Sequence, residues 1–417
     1  MRRTIHESKR CYSVLLFSLR LWEIIIDNEN MMLLHTWNNV NTRQLALKIL
    51  GLPFHIHSLS RVGLLGKKAQ RYDYKQCRLC STPGPPWRIL FFGTDDFALE
   101  SLKSLTATRG SKENIVASLE VVALSNNVPV KRFADRNRLP VHIWPIGDIQ
   151  GHFDVGVVVS FGCLLKDRLI RQFPYGILNV HPSLLPRWRG PAPVFHTVLH
   201  GDAITGVTIM QIRPCRFDVG PILRQEIYPV PTDCTADQLG ATLAIKGAHL
   251  LIDTLKTLPE RLANKVEQNQ TGATSAPKIS SSMSWVSWED QTCDEIDRLF
   301  RAIGSRIPLR TLWMGKTIKL LDFVGKCDIS LSGHGRQPIP GSIIYLKMSN
   351  TLAVCCKDGW VGFKAVVLKK RLSAADFYNG YMHHSLTGKP SHHPKQCLFI
   401  SNQTETSKCR ELKETIA

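Results

Sequence analysis

The sequence predicts an α/β protein: a domain built on a doubly wound parallel sheet, followed by a small C-terminal β-barrel domain. Three observations carry this. Strand-like apolar runs alternate with amphipathic helical stretches from Trp87 to Val180, the order that folds as parallel strands joined by crossover helices. Val155–Ser160 is almost unbroken in its apolar character, as a central strand covered on both faces requires. Beyond Ala276 the pattern changes to short strands divided by turn residues such as Asp358-Gly359, which suits a small barrel or sandwich. At 417 residues the chain is also too long for one ordinary core.

Ser81-Thr-Pro-Gly-Pro-Pro86 is a breaker cluster, so the folded part is expected to start at Trp87. Trp87–Phe92 reads as a buried strand ending at Gly93. Thr94 or Asp95 then caps a helix whose apolar face includes Ala98, Leu102 and Leu105. Leu119–Leu124 is a second strand, Val130–Asn137 a short helix and Val141–Trp144 a third strand. After the central run come a helix over Leu165–Phe173, a strand over Gly176–Val180 and another over Val207–Ile212. Thr235-x-x-Gln238 is a capping box, and Leu239, Leu243, Leu250, Leu251 and Leu258 line one face of the helix it opens. That helix closes a first domain over 87–263. Asn264–Ala276 is polar and reads as a linker, extended to 264–284. Thr292-x-x-Glu295 caps a helix carrying Ile296, Leu299, Phe300 and Ile303, and strands follow over Thr317–Phe323, Ser342–Tyr345, Thr351–Cys355 and Val361–Leu368. This gives a second domain over 285–384 and a disordered tail over 385–417.

Charge divides along the same lines. Residues 1–86 hold 13 Lys and Arg against 5 Asp and Glu, residues 87–277 hold 20 against 17, and residues 278–417 hold 20 against 12. A nearly neutral middle between basic ends suggests a small-molecule catalytic unit joined to something that handles a polyanion. Met31–Tyr72 contains no Asp or Glu but six Lys and Arg, the composition of a mitochondrial transit peptide, so 1–86 is read as transit peptide and disordered extension. Twelve cysteines are scattered, unlike a secreted disulfide framework. Cys77-x-x-Cys80 has no partner pair of zinc-site spacing, so no metal is expected. No stretch reaches the length of about 18–20 apolar residues that a spanning helix needs, and no membrane role is expected.

The chemistry concentrates in Asn179-Val-His-Pro-Ser-Leu-Leu-Pro-Arg-Trp-Arg-Gly190. Asn179 and His181 lie two residues apart at the end of a strand, so both side chains share one face. The C-terminal edge of a parallel sheet is where open α/β folds build their sites. An amide beside an imidazole suits an oxyanion forming at a carbonyl. Pro182 and Pro186 stiffen the following loop, and Arg187 and Arg189 can meet a phosphate. Asp218, past the next strand, can orient a histidine or move a proton through water. No GxSxG nucleophile motif is present, so direct transfer is preferred to a covalent intermediate. The turn Gly93-Thr-Asp-Asp-Phe97 lacks the GxGxxG spacing of a dinucleotide site, which disfavours a nucleotide-dependent oxidoreductase.

The runs Asn179–Pro193, Gly206-Val-Thr-Ile-Met-Gln211 and Phe217-Asp-Val-Gly220 closely resemble the 10-formyltetrahydrofolate-dependent formyltransferases. Ser183-Leu-Leu-Pro-Arg-Trp-Arg-Gly-Pro-Ala-Pro193 and Leu90–Phe97 are similar to the methionyl-tRNA formyltransferase family in particular, over about residues 87–380. The resemblance implies a Rossmann-like formyltransferase domain, then an OB-like β-barrel. It implies formyl transfer from 10-formyltetrahydrofolate to the α-amine of initiator Met-tRNA, in the mitochondrial matrix, by a monomer. Asn179, His181 and Asp218 would be the catalytic groups. Ser183, Leu184, Leu185 and Pro186, with Phe161 and Gly162, would line the folate site. Bacterial members carry a long basic loop after the second strand that enters the tRNA acceptor stem, whereas Leu124–Pro129 here is short and uncharged. Recognition of tRNA is therefore assigned to Arg187, Arg189, Lys131, Arg132, Lys278, Arg301, Arg306, Lys369 and Lys370, with Arg371 beside them. The competing readings are a formyltransferase for glycinamide ribonucleotide or an amino sugar, and a non-catalytic RNA-binding protein. Retention of Asn179, His181 and Asp218 speaks against the last.

Overall fold

The computed structural model describes residues 84–125, 127–329, 338–383 and 398–402. Contacts set Arg78–Ala417 apart as one compact unit, separate from residues 1–77. Every described element belongs to that unit, and the expected transit segment lies outside the described residues.

The first sheet takes β1 (Trp87–Gly93), β2 (Val116–Ala123), β3 (Val141–Ile143), β4 (Val155–Val159), β5 (Ile177–His181), β6 (Ile204–Gln211) and β7 (Ile222–Pro229), in the order β3-β2-β1-β4-β5-β6-β7. β1 to β5 are parallel, and β4 is buried along its whole length. α1 (Asp96–Thr108) is capped by Asp95, which accepts from the Ala98 N–H, and buries Ala98, Leu102 and Leu105. Thr94 turns instead to the Ser160 carbonyl at the end of β4. α2 (Pro129–Arg136) follows β2.

Two expectations need adjusting. Helix α3 spans only Asp167–Ile170 and gives way to turns around Pro174, whose ring cannot continue a helix, with Ile170 and Phe173 buried in the apolar layer under the sheet. The sheet is not parallel throughout, since β6 and β7 run antiparallel to their neighbours. After β5 the chain passes through α4 (Pro193–His200), turns at Gly201 with φ 67°, and enters β6 from the same end, without crossing back. α5 (Ala236–Lys256) opens with the expected capping box and buries the expected leucines at 239, 243, 250 and 251, while α6 (Leu258–Ala263) finishes the layer.

The second sheet is antiparallel and curls into half a barrel. It holds β8 (Leu309–Trp313), β9 (Lys316–Lys326), β10 (Ile343–Leu346), β11 (Thr351–Cys355), β12 (Trp360–Val367), β13 (Arg371–Ser373) and β14 (Phe399–Ile400). The order is β10-β11-β12-β9-β8-β14, with β13 on β12. β14 lies in the stretch read as a tail; Phe399 is buried beside Trp288, Trp313 and Phe377, so this piece is part of the core. Helix α7 (Cys293–Ile303) carries both halves of its Thr292–Glu295 capping box, and α8 (Ala374–Phe377) follows β13. One apolar cluster runs through both sheets, taking in Val194 and Val198 of α4, Leu243 of α5 and Ile296 and Leu299 of α7.

Asn264–Ala276 is not a free linker. Val266 pairs with Ile222 at the start of β7, Arg189 N–H donates to Thr274 O at 2.9 Å, and Ala276 N–H donates to Arg189 O at 2.6 Å. Gln268 is buried and bonds to the neighbouring loops, while most of the other polar residues of the segment are exposed.

Candidate active site

β5 ends at the middle of the first sheet, with β4 on one side and β6 on the other. Its alternation sends Asn179 and His181 to one face, where they meet Asp218 from the loop between β6 and β7. Asn179 Nδ2 donates to Asp218 Oδ1 at 3.3 Å, and His181 Nδ1 stands 3.6 Å from the same oxygen. The other carboxylate oxygen, Oδ2, accepts the Gly190 N–H at 2.9 Å. The three side chains thus converge on one carboxylate. His181 is 4 % exposed, so its ring position is set by protein contacts and not by water.

The wiring fixes which hydrogens are available. His181 Nε2 faces the Trp188 carbonyl at 2.9 Å, and a carbonyl can only accept, so Nε2 is the donor. Nδ1 faces the Asp218 carboxylate at 3.6 Å, beyond hydrogen-bond distance. The Asn179 amide has two hydrogens, one directed to Asp218 and one left for the cleft. A nascent oxyanion beside Asn179 and the Nδ1 edge of His181 would meet the second amide N–H and, where Nδ1 carries a proton, a ring N–H. Asp218 has φ +52°, a left-handed backbone that turns its carboxylate back toward β5.

The residues expected to line a folate site differ in access. Ser183 is fully buried: its Oγ donates to Arg187 O, and its carbonyl accepts from Thr208 Oγ1, both at 2.7 Å. Leu185 is buried, with its N–H on Thr208 Oγ1 and its carbonyl accepting from Gln225. The Phe161 ring packs edge-on against Phe92 and Trp144 inside the lower apolar layer. Leu184 and Pro186 are half-buried, and Gly162, with φ +76°, is exposed. Asp95 stands at the end of β1, and burial pushes its carboxyl above the ordinary value despite the bond from Ala98 N–H.

The two arginines of the β5 loop are not open phosphate forks. Arg187 grips Asp202 with Nε at 2.8 Å and Nη2 at 2.6 Å while lying over the Trp188 ring, whose Nε1 also reaches Asp202. Arg189 places Nε and Nη2 on Gln268 Oε1 and Nη1 on Gln270 Oε1. Lys131 pairs with Asp135, Arg301 with Asp297 and the Cys234 carbonyl, and Arg306 with Asp237 while over Phe195. Arg132 donates to Asn127, and Arg371 pairs with Asp322. Lys278, Lys369 and Lys370 are exposed and have no ion pair among the described residues.

Sequence reasoning missed Gly190, Trp188, Asp202 and Gln268. The first two act through backbone atoms, which carry no side-chain signal. Asp202 and Gln268 sit in segments whose polarity read as a turn and a linker. Where the start of α7 meets the turn between β11 and β12, Cys293, Cys356 and Asp358 lie close enough to hold a metal. There the thiols are 3.4 Å apart and Asp358 accepts the Cys293 N–H, while burial pushes both thiols up, toward the protonated form.

Residues 150–255 match the model of the formyl transferase family, and residues 278–382 match its C-terminal domain. The human mitochondrial methionyl-tRNA formyltransferase is 55% identical over 342 residues, covering 80% of this chain and 87% of the relative. The bovine mitochondrial protein of the same name is 54% identical over 76% of this chain and 83% of its own. The methionyl-tRNA formyltransferase of Roseobacter denitrificans is 34% identical over 70% of this chain and 95% of its own.

Proposed function

The chain belongs to the methionyl-tRNA formyltransferase family, and we propose that Asn179, His181 and Asp218 carry its reaction. The enzyme formylates methionyl-tRNA for the initiation of translation in the mitochondrial matrix. The donor is 10-formyltetrahydrofolate, used as a cosubstrate. The basic, acid-free stretch 31–72 is read as its import address.

The neutral α-amine of methionyl-tRNA bonds to the formyl carbon, the bond from that carbon to the folate N10 breaks, and the amine proton ends on N10. Asn179 and His181 donate N–H to the oxygen that gains charge as the amine attacks. Asp218 holds the Asn179 amide with its nitrogen forward and faces the Nδ1 edge of the His181 ring. Through a water, it relays the proton from the amine toward the leaving nitrogen. Leu184, Pro186 and Gly162 offer surface to the folate, while Ser183, Leu185 and Phe161 shape that surface from behind.

The observation that carries this reading is the single Asp218 oxygen lying within 3.3 Å of the Asn179 amide and 3.6 Å of the His181 ring. Asn179→Ala removes one oxyanion donor and is expected to lower kcat about 10²–10³-fold. Asp218→Asn removes the relay and is expected to lower it about 10²–10⁴-fold. Both should keep their circular dichroism and melting temperature. Formylation of charged tRNA, run beside glycinamide ribonucleotide and an amino sugar as acceptors, is the assay. A near-normal kcat in either variant removes that residue from the mechanism.

A further inference from the structure

We propose that Gln268 is a positioning residue for formyl transfer, tying the loop of Asp218 to the loop of Arg189 so that the shared carboxylate stays in place. The inference rests on the catalytic assignment above and extends it to a residue that touches neither substrate.

Gln268 is 8 % exposed, and its hydrogen-bonding capacity is filled. Nε2 has two hydrogens, and they go to the carbonyls of Asp218 at 2.9 Å and Gly220 at 2.8 Å. Oε1 accepts Arg189 Nε at 3.0 Å and Nη2 at 2.7 Å. The contacts form a closed circuit. Gly190, next to Arg189, donates to Asp218 Oδ2, and the Asp218 carbonyl returns through Gln268 to Arg189.

The circuit holds a strained piece of chain. Asp218 sits at φ +52°, where a residue with a side chain stays only if its surroundings over-determine it. Gly190, at φ +124°, lies so near the 264–276 segment that a Cβ there would come 2.7 Å from the Ala276 carbonyl. Two bonds to the carbonyls on either side of Val219 are what Gln268 contributes against relaxation of that loop. Relaxation would swing the Asp218 carboxylate away from Asn179 and His181, and a misplacement of about 1 Å at a reacting centre can cost on the order of 10²-fold in rate.

Gln268→Glu separates the two halves of the circuit. A carboxylate keeps the Arg189 contacts but has no hydrogen for the two carbonyls. In single-turnover formylation by the full-length enzyme, this variant is expected to lose roughly 10–100-fold in rate, with KM for both substrates little changed. In an Asp218→Asn background the same substitution is expected to cost almost nothing more, because the group it positions is gone. Gln268→Ala, which removes the tie without adding charge, must show the same dependence on Asp218.

A wild-type rate in Gln268→Glu, or an equal fold-loss in both backgrounds, overturns the proposal. So does unfolding of both Gln268 variants at the assay temperature, which would make the residue a determinant of the fold alone. A normal rate in Asp218→Asn by itself would instead defeat the underlying catalytic assignment.

Discussion

Behind the catalytic loop, His196 packs against Trp188 and His200, which also touch each other, and is 1 % exposed. Its Nε2 faces the Pro277 carbonyl at 3.0 Å, while Nδ1 is buried without a partner. Burial holds the imidazole below its ordinary value of 6.5; the Pro277 carbonyl opposes this and His200 adds to it. In the window between the unfolded value and the depressed folded one, the unfolded chain binds the extra proton. This contribution to stability is therefore intact above about pH 6.5 and is lost as pH falls through that window. Urea melts from pH 8 to 5 should show this decline, and His196→Gln should flatten it. An unchanged slope in the variant would move the effect to another group. At this scale the sequence was informative where chemistry follows spacing. Asn179 and His181 are two residues apart on a strand, which is enough to put them on one face. Asp218 lies 37 residues beyond His181 in a loop, so its part was readable mainly through the family resemblance. Gln268 gave no signal, because its partners are two backbone carbonyls and an arginine that reach it only in the fold.

Among the elements, those with a chemical start signal were the most legible. Both capping boxes form, Thr235 with Gln238 and Thr292 with Glu295. The second opens α7, whose Arg298 side chain reaches Gly201 at the end of α4, so this cap stabilises a helix joining the two sheets. Thr292→Ala should cost about 1 kcal/mol, within a range of roughly 0.5–2 kcal/mol, read as a lower urea midpoint with an unchanged m-value. A larger m-value change would mean that α7 had come away from its partners. The elements that were missed have physical reasons. β7 buries only Leu223, begins beside Pro221 and carries Arg224, Gln225 and Glu226 in succession, which hides its period. β8 has three buried positions in only five residues, and β14 is a two-residue strand created by Phe399 entering an aromatic cluster. The 264–276 segment was misread because composition alone cannot tell polar groups facing water from polar groups facing a loop.

For the whole molecule, net charge pointed to residues 278–417 as the half that handles a polyanion and left open which residues act. Residues 278–417 carry 20 Lys and Arg against 12 Asp and Glu, yet the folded chain pairs many of these cations internally. Arg301 and Arg306 answer Asp297 and Asp237, and Arg187 answers Asp202. A paired cation releases few counterions when a phosphate arrives, because its charge is already balanced nearby. Of the lysines assigned to tRNA, Lys278, Lys369 and Lys370 are exposed without ion pairs among the described residues, so together they should add to the electrostatic part of tRNA binding. Each cation that meets a phosphate contributes roughly 0.7–0.9 to the slope of log affinity against log salt. Replacing all three by alanine should therefore flatten that slope by roughly 2–3 and weaken binding at low salt far more than at high salt. Lys131→Ala and Arg306→Ala, which release a paired acid as they remove a base, should leave the slope nearly unchanged. Salt titrations of Met-tRNA affinity would decide it: if the triple variant keeps the original slope, the tRNA meets the arginines after displacing their carboxylate partners, and charge pairing in the free enzyme does not set which cations bind.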